Sequence, residues 1–137
     1  MKFKLFRNGI IPVRKHQQDA GVDIYLPDDI AIEPGEIKTL GLAVGVQIPH
    51  GYVGQLVPRS STAKMGFYVF SPYIDEGYTG ELFLVCTNVS KETLKFKRND
   101  RVCSLGVYAI SDDREVEIVD EFPQTERGDG AFGSTGK

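Results

Sequence analysis

The stretch SPYIDEGYTGEL, residues 71 to 82, sets Asp75 directly after the apolar Tyr73-Ile74 pair and before a turn that carries Gly77 and Gly80. A carboxylate held at a strand end can polarise a water and take its proton, and Tyr78, three residues on, can lay a flat ring beside it. The same aspartate could instead serve only to fix the turn. A second group lies in LVPRSSTAKMG, where Arg59, Ser60 and Ser61 follow a strand. A turn there offers an anion one guanidinium, two hydroxyls and several backbone N–H groups, although Pro-Arg-Ser is also an ordinary way to leave a strand. Asp23, within the apolar run DAGVDIYL, is expected to be structural, with its carboxylate hydrogen-bonded to backbone donors.

The segment Arg127 to Lys137, RGDGAFGSTGK, combines four glycines with an arginine, a phenylalanine and a Ser-Thr pair. Glycine this dense gives up regular structure, which fits a solvated tail. The same residues fit a flap that grips something aromatic and polyanionic. GSTGK is not a phosphate-binding P-loop, because Ala131 stands where the first glycine of that motif belongs. The histidines are His16 and His50 alone, and the two cysteines have no metal-ligand spacing, so a structural zinc site is not expected and any metal would have to arrive with the ligand.

These groups need a scaffold, and the pattern around them is that of strands. KFKLF, VDIYL, IKTLGLAVGVQI, YVGQLV, ELFLVCTNV, TLKFK, RVCSLGVYAI and EVEIV alternate or are rich in β-branched residues. Pro-Asp-Asp, Glu-Pro-Gly, Pro-His-Gly and Arg-Asn-Asp punctuate them at the spacing of an all-β sandwich or barrel. Only SSTAKMG suggests a short helical turn, with a serine capping its start. KETLKFKRNDR is locally basic, but its alternation reads as the wet face of a strand.

The 137 residues make one domain, able to bury roughly two-thirds of the unfolded surface. A net charge of −3 argues against a nucleic-acid polymer as partner. No apolar run nears the ~20 residues of a membrane span, and MKFKLFRNGIIPVRK does not build a signal-peptide core. Cys86 and Cys103, each in an apolar stretch, are expected to be reduced core residues. A cytoplasmic protein is the expectation.

Taken in order, AGVDIYL, PRSSTAKMG, YIDEGYTGEL, NDRVCSLGV and RGDGAFGSTG resemble the five successive motifs of the trimeric dUTPase family, from residue 20 to residue 136. The resemblance implies an all-β, jelly-roll-like distorted barrel over residues 1–126, with residues 127–137 as a lid over the active site. It implies a homotrimer with active sites at subunit interfaces. It also implies hydrolysis of dUTP to dUMP and pyrophosphate, which limits uracil incorporation into DNA and supplies dUMP for thymidylate synthesis. Mg²⁺ would be held through the triphosphate, with no direct protein ligand.

Carried over by position, Asp75 is implied to activate the water that attacks the α-phosphorus, and Tyr78 to lie under the deoxyribose and exclude a 2′-hydroxyl. Tyr73 and Ile74 join the substrate-binding set. Arg59, Ser60 and Ser61 match the phosphate-gripping segment, with Ser61 where glycine is usual. Arg127 is implied to hold phosphate, Phe132 to cover the uracil, and Gly133, Ser134 and Thr135 to wrap the γ-phosphate. Two departures stand out. The base-reading segment FYVFSPYID is shortened and includes Pro72, which lacks an N–H. Ser104 takes the place of a glutamine that reaches phosphate. The rival readings are a dCTP deaminase, whose catalytic glutamate would fall near Val85, and a regulatory binding protein built on the same fold.

Overall fold

The computed structural model describes residues 1–111 and 115–125. Eleven strands and one short helix follow in the order β1 Lys2–Leu5, β2 Gly21–Tyr25, β3 Ile30–Ile32, β4 Ile37–Gly41, β5 Val44–Gln47, β6 Tyr52–Pro58, α1 Ser60–Lys64, β7 Phe67–Phe70, β8 Tyr73–Ile74, β9 Phe83–Asn88, β10 Leu94–Phe96 and β11 Arg101–Ala109. This is the all-β architecture that the sequence pattern demands.

Two antiparallel sheets carry the core, one in the order β2-β11-β6-β8 and the other β4-β9-β7. The ribbons β1-β5 and β3-β10 complete the barrel. Alternation does the sorting. Along β9, Leu84, Cys86 and Asn88 are buried while Phe83 is exposed, and along β10 Leu94 and Phe96 point inward with Lys95 outside. The locally basic run is therefore the wet face of a strand. Phe67 meets Phe96 edge-on at 5.2 Å, which joins β7 to β10. The buried Asn88 amide donates to the carbonyls of Ile32 (2.9 Å) and Glu92 (2.7 Å), stitching β9 to β3.

Alternation breaks where the backbone does. β11 buries two neighbours, Val102 and Cys103, because its pairing with β2 slips between Arg101 and Cys103. One extra residue there resets which side faces the core. IKTLGLAVGVQI is two strands in different sheets, not one: Ala43, at φ 51°, turns the chain between β4 and β5.

Two expectations need correcting. The cap position of α1 is Arg59, with no side-chain cap bond, and Ser60 is the first helical residue. Thr62 does the anchoring: its buried hydroxyl donates to the Arg59 carbonyl at 3.0 Å and the Val102 carbonyl at 3.1 Å. The helix ends at Gly66, whose φ of 88° suits a residue without Cβ. EVEIV is not a strand either. Residues 115–119 form no strand and pair with none among the described residues, and Val116 and Ile118 are 94% and 95% exposed.

Candidate functional site

β7 and β9 pair with each other, and the connection between them, residues 71–82, holds Asp75 and Tyr78. Ser71 and Pro72 carry the chain from one sheet to the other, where Tyr73 and Ile74 form β8 and pair with Gln55 and Gly54 of β6. The Ser71 carbonyl accepts from Gln55 Nε2 at 2.9 Å. On the far side of Asp75, the Glu76 carboxylate accepts the Gly51 N–H at 2.8 Å and faces His50 Nδ1 at 3.2 Å. Asp75 is thus gripped between a strand pair and a second turn, so its carboxylate is presented on a fixed support.

The turn itself is closed by Tyr78, whose N–H donates to the Asp75 carbonyl at 3.0 Å. Its hydroxyl donates to the Glu81 carbonyl at 2.5 Å, folding the ring over Gly80. A Cβ at Gly80 would meet the Tyr78 hydroxyl at 2.7 Å, so this ring position requires glycine. Pro72, Tyr73, Ile74, Asp75, Tyr78, Leu82 and Phe83 line a cleft of about 210 Å³. Tyr73 and Asp75 also border a wider, more open cleft of about 620 Å³ with Val53, Gln55 and Tyr108. The carboxylate therefore stands on the ridge between a small, mostly apolar recess and open space, where a ring could enter and a water could follow.

The second group is elsewhere. Arg59 turns toward Asp23, with Nε 3.3 Å from Oδ1, and donates to the Arg101 carbonyl at 3.2 Å. Asp23 also accepts from Arg101 (3.1 Å) and from the Ser104 hydroxyl (3.0 Å). Its role is structural, as expected, but its partners are side chains, not backbone donors. Two guanidiniums share one carboxylate, and both remain partly exposed, at 27% for Arg59 and 35% for Arg101. The surplus positive charge suits a polyanion. Ser60 and Ser61 are exposed beside it in the first turn of α1. Ser104 is committed to Asp23, and this pairing accounts for a short side chain at that position.

One chain does not bring the two groups together. β6 leads from Gly54, opposite Ile74, toward Arg59 just beyond its end, roughly 17 Å away at ~3.3 Å per residue. Moreover, β8 flanks β6 on one side, and β11 and β2, toward which Arg59 turns, lie on the other. Arg127, Phe132, Gly133, Ser134 and Thr135 lie outside the described residues.

Arg101, and the Arg7–Glu81 pair described below, were not picked out from the sequence, because long-range strand register sets their partners. The thiols are not nucleophiles: burial pushes Cys86 up to about 11 and Cys103 higher still, so both stay protonated. β9 bears no carboxylate, and Val85 occupies the position where a deaminase would need one. Among the described residues no three His, Cys, Asp or Glu side chains converge on a point that could hold a metal.

A family model described as dUTPase matches residues 7–136. The deoxyuridine 5′-triphosphate nucleotidohydrolase of Nautilia profundicola is 37% identical over 137 residues, covering 98% of this chain and 96% of that protein. Among solved structures, a mutant dUTPase of Staphylococcus bacteriophage 80alpha with dUpNHpp superposes with a TM-score of 0.88 at 30% identity, covering 99% and 98% of the two chains. A mutant dUTPase from phage phi11 of S. aureus, described as revealing the coordination of a structural Mg(II) ion, gives a TM-score of 0.81 at 27% identity, covering 88% of this chain and 97% of that one.

Proposed function

The chain belongs to the dUTPase family, and from that premise we infer that it hydrolyses dUTP to dUMP and pyrophosphate. The observation that carries the reading to residues is the fixed connection 71–82, which sets Asp75 and Tyr78 on one small recess. The base and sugar enter that recess, with Tyr73 and Ile74 at its wall and the Tyr78 ring against the deoxyribose. Asp75 accepts a proton from a water as its oxygen attacks the α-phosphorus. The bond from that phosphorus to the α,β-bridging oxygen breaks in line, and pyrophosphate leaves with the electron pair.

Arg59, Ser60 and Ser61 hold the phosphates, joined by Arg127, Gly133, Ser134 and Thr135, while Phe132 covers the base. Magnesium suits this arrangement because it keeps several waters and takes ligands from phosphate oxygens, so it asks for no carboxylate cage from the protein. When bound, the ion neutralises charge on the departing pyrophosphate.

Because Asp75 and Arg59 sit at opposite ends and opposite sides of β6, a single triphosphate reaches both only if they come from different copies. A closed homotrimer with sites at its interfaces meets that need. The exposed Val116, Ile118 and Phe122 point the same way, since their alternating run pairs with no strand among the described residues. No helix among the described residues is long and apolar enough to cross a membrane. The two buried free thiols fit the reducing conditions of a cytoplasm.

The test is direct. The purified protein is incubated with dUTP, dCTP, dTTP and UTP in magnesium, and pyrophosphate and ammonia are both assayed. Pyrophosphate from dUTP with no ammonia from dCTP is expected. Ammonia release would make the protein a deaminase, and silence on all four would leave a binding protein. Light scattering on the same sample is expected to give three times the chain mass.

A further inference from the structure

Three non-glycine residues among those described have positive φ: Arg7 (39°), Ala43 (51°) and Asn99 (73°). Side chains rarely occupy that region, so its use marks a place where the surroundings over-determine the backbone. Two of the three converge on one carboxylate. Arg7 makes a two-pronged contact with Glu81, NH1 to Oε2 at 3.0 Å and NH2 to Oε1 at 2.5 Å, across 74 residues of sequence. The Ala43 N–H donates to the same Oε1 at 2.9 Å.

The space for this contact is reserved. A Cβ on Gly41 would meet Glu81 Oε1 at 2.7 Å and Arg7 NH2 at 3.2 Å. On Gly45, a Cβ would meet the Gly80 carbonyl at 2.6 Å. Glu81 is 12% exposed at its side chain and Arg7 is 61% exposed, so the acid is the sheltered partner and the arginine reaches in to it. With one partner at the surface, the pair itself adds little stability. Removing the arginine, however, strands a largely buried carboxylate, which must then move toward water.

What moves with it is the group of interest. The main-chain carbonyl of Glu81 accepts the Tyr78 hydroxyl, and the Tyr78 ring forms part of the cleft beside Asp75. We propose that the Arg7–Glu81 pair is a positioning clamp for Tyr78: by fixing residue 81 it fixes the height of the tyrosine ring, and so sets how strongly the site rejects a ribose. Arg7 touches no substrate in this scheme. It acts through Glu81 on the one ring whose position decides whether a 2′-hydroxyl fits. The proposal rests on the dUTPase reading.

The experiment compares wild type, Arg7→Ala, Arg7→Lys, Glu81→Gln, Tyr78→Phe and the Arg7→Ala/Tyr78→Phe double variant. Each is assayed for kcat/KM with dUTP and with UTP, and for Kd with dUMP and UMP. Arg7→Ala is expected to lower the deoxyribose-to-ribose preference by roughly tenfold, the scale on which small misplacements of a positioning group act. Glu81→Gln should do the same, and Arg7→Lys, which keeps the charge but loses the fork, should fall between. Tyr78→Phe removes only the hydroxyl that reads the clamp. If the proposal holds, adding Arg7→Ala to it changes the preference no further.

An Arg7→Ala protein that melts earlier but keeps the wild-type preference would reduce the pair to a structural contact and overturn the clamp. So would full additivity in the double variant. If Arg7→Ala does not fold, an Arg7→Lys protein with unchanged preference overturns it equally. A wild type that does not hydrolyse dUTP would sink the hydrolysis reading, and the dUMP and UMP affinities would still judge the clamp.

Discussion

At the scale of the residue, the chemistry is asked of one carboxylate. Asp75 lies between Ile74, paired to β6, and Glu76, tied to the turn at Gly51, so replacing its charge should leave the support standing. Asp75→Asn is expected to lower kcat by at least ~10², the usual scale for losing a general base, while the melting temperature and dUMP affinity hold. Near-normal turnover would remove Asp75 from that role. The thiols give a second expectation. Cys86 stands at about 11 against an ordinary 9.0, raised by burial, so above pH 9 the folded chain retains a proton that the unfolded chain gives up. Stability then falls as pH rises from 9 toward 11 and is unaffected by this group below that window. Cys86→Val should flatten the alkaline limb of a melting-temperature profile, and a limb unchanged by the substitution would assign it to other groups.

At the scale of the element, alternation was readable wherever a strand had one dry face and one wet face, as β9 and β10 show. It misled wherever something non-local intervened. Nothing in Leu42-Ala43 announces a turn, because a non-glycine residue adopts the left-handed backbone only under the pressure of its neighbours. The bulge in β11 shows only in its pairing with β2, and EVEIV has the alternation of a strand without a partner strand among the described residues. The site divides the same way. Asp75 and Tyr78 lie three residues apart in one turn and are legible together, whereas the Arg101–Asp23 contact spans 78 residues and depends on strand register. α1 illustrates how an element carries such a group. Thr62 ties the helix start to β11 through the Val102 carbonyl and back to its own cap through the Arg59 carbonyl, which holds Arg59, Ser60 and Ser61 in place. Thr62→Val keeps the shape but takes the hydroxyl donor away from the Val102 carbonyl, while the Arg59 carbonyl keeps the Ala63 N–H, at a cost of ~1 kcal/mol, the scale of one lost hydrogen bond. A lower melting temperature is expected together with a higher KM and a nearly unchanged kcat. A kcat that fell while KM held would place this segment in the chemical step, not in phosphate binding.

At the scale of the whole molecule, the proposal of a site shared between copies gives residues 127–137 the task of closing over it, and that task can be tested. Deleting residues 127–137 removes a single large apolar side chain, Phe132, so little core burial is lost and the melting temperature and trimeric mass should barely change. Catalysis should suffer far more. The deletion takes away an arginine, two hydroxyls and a run of backbone N–H groups that can follow charge on the phosphates, as well as the cover that keeps bulk water from the reacting centre. Four glycines suit that task, because the backbone must come close to a ligand without side chains in the way. The truncated protein is therefore expected to remain a trimer and to hydrolyse dUTP very poorly, with kcat/KM down by at least ~10², the scale on which loss of a single oxyanion-binding donor is felt. Turnover measured beside melting temperature decides the matter. A large fall in melting temperature would make the segment part of the scaffold, and unchanged turnover would make it a solvated tail.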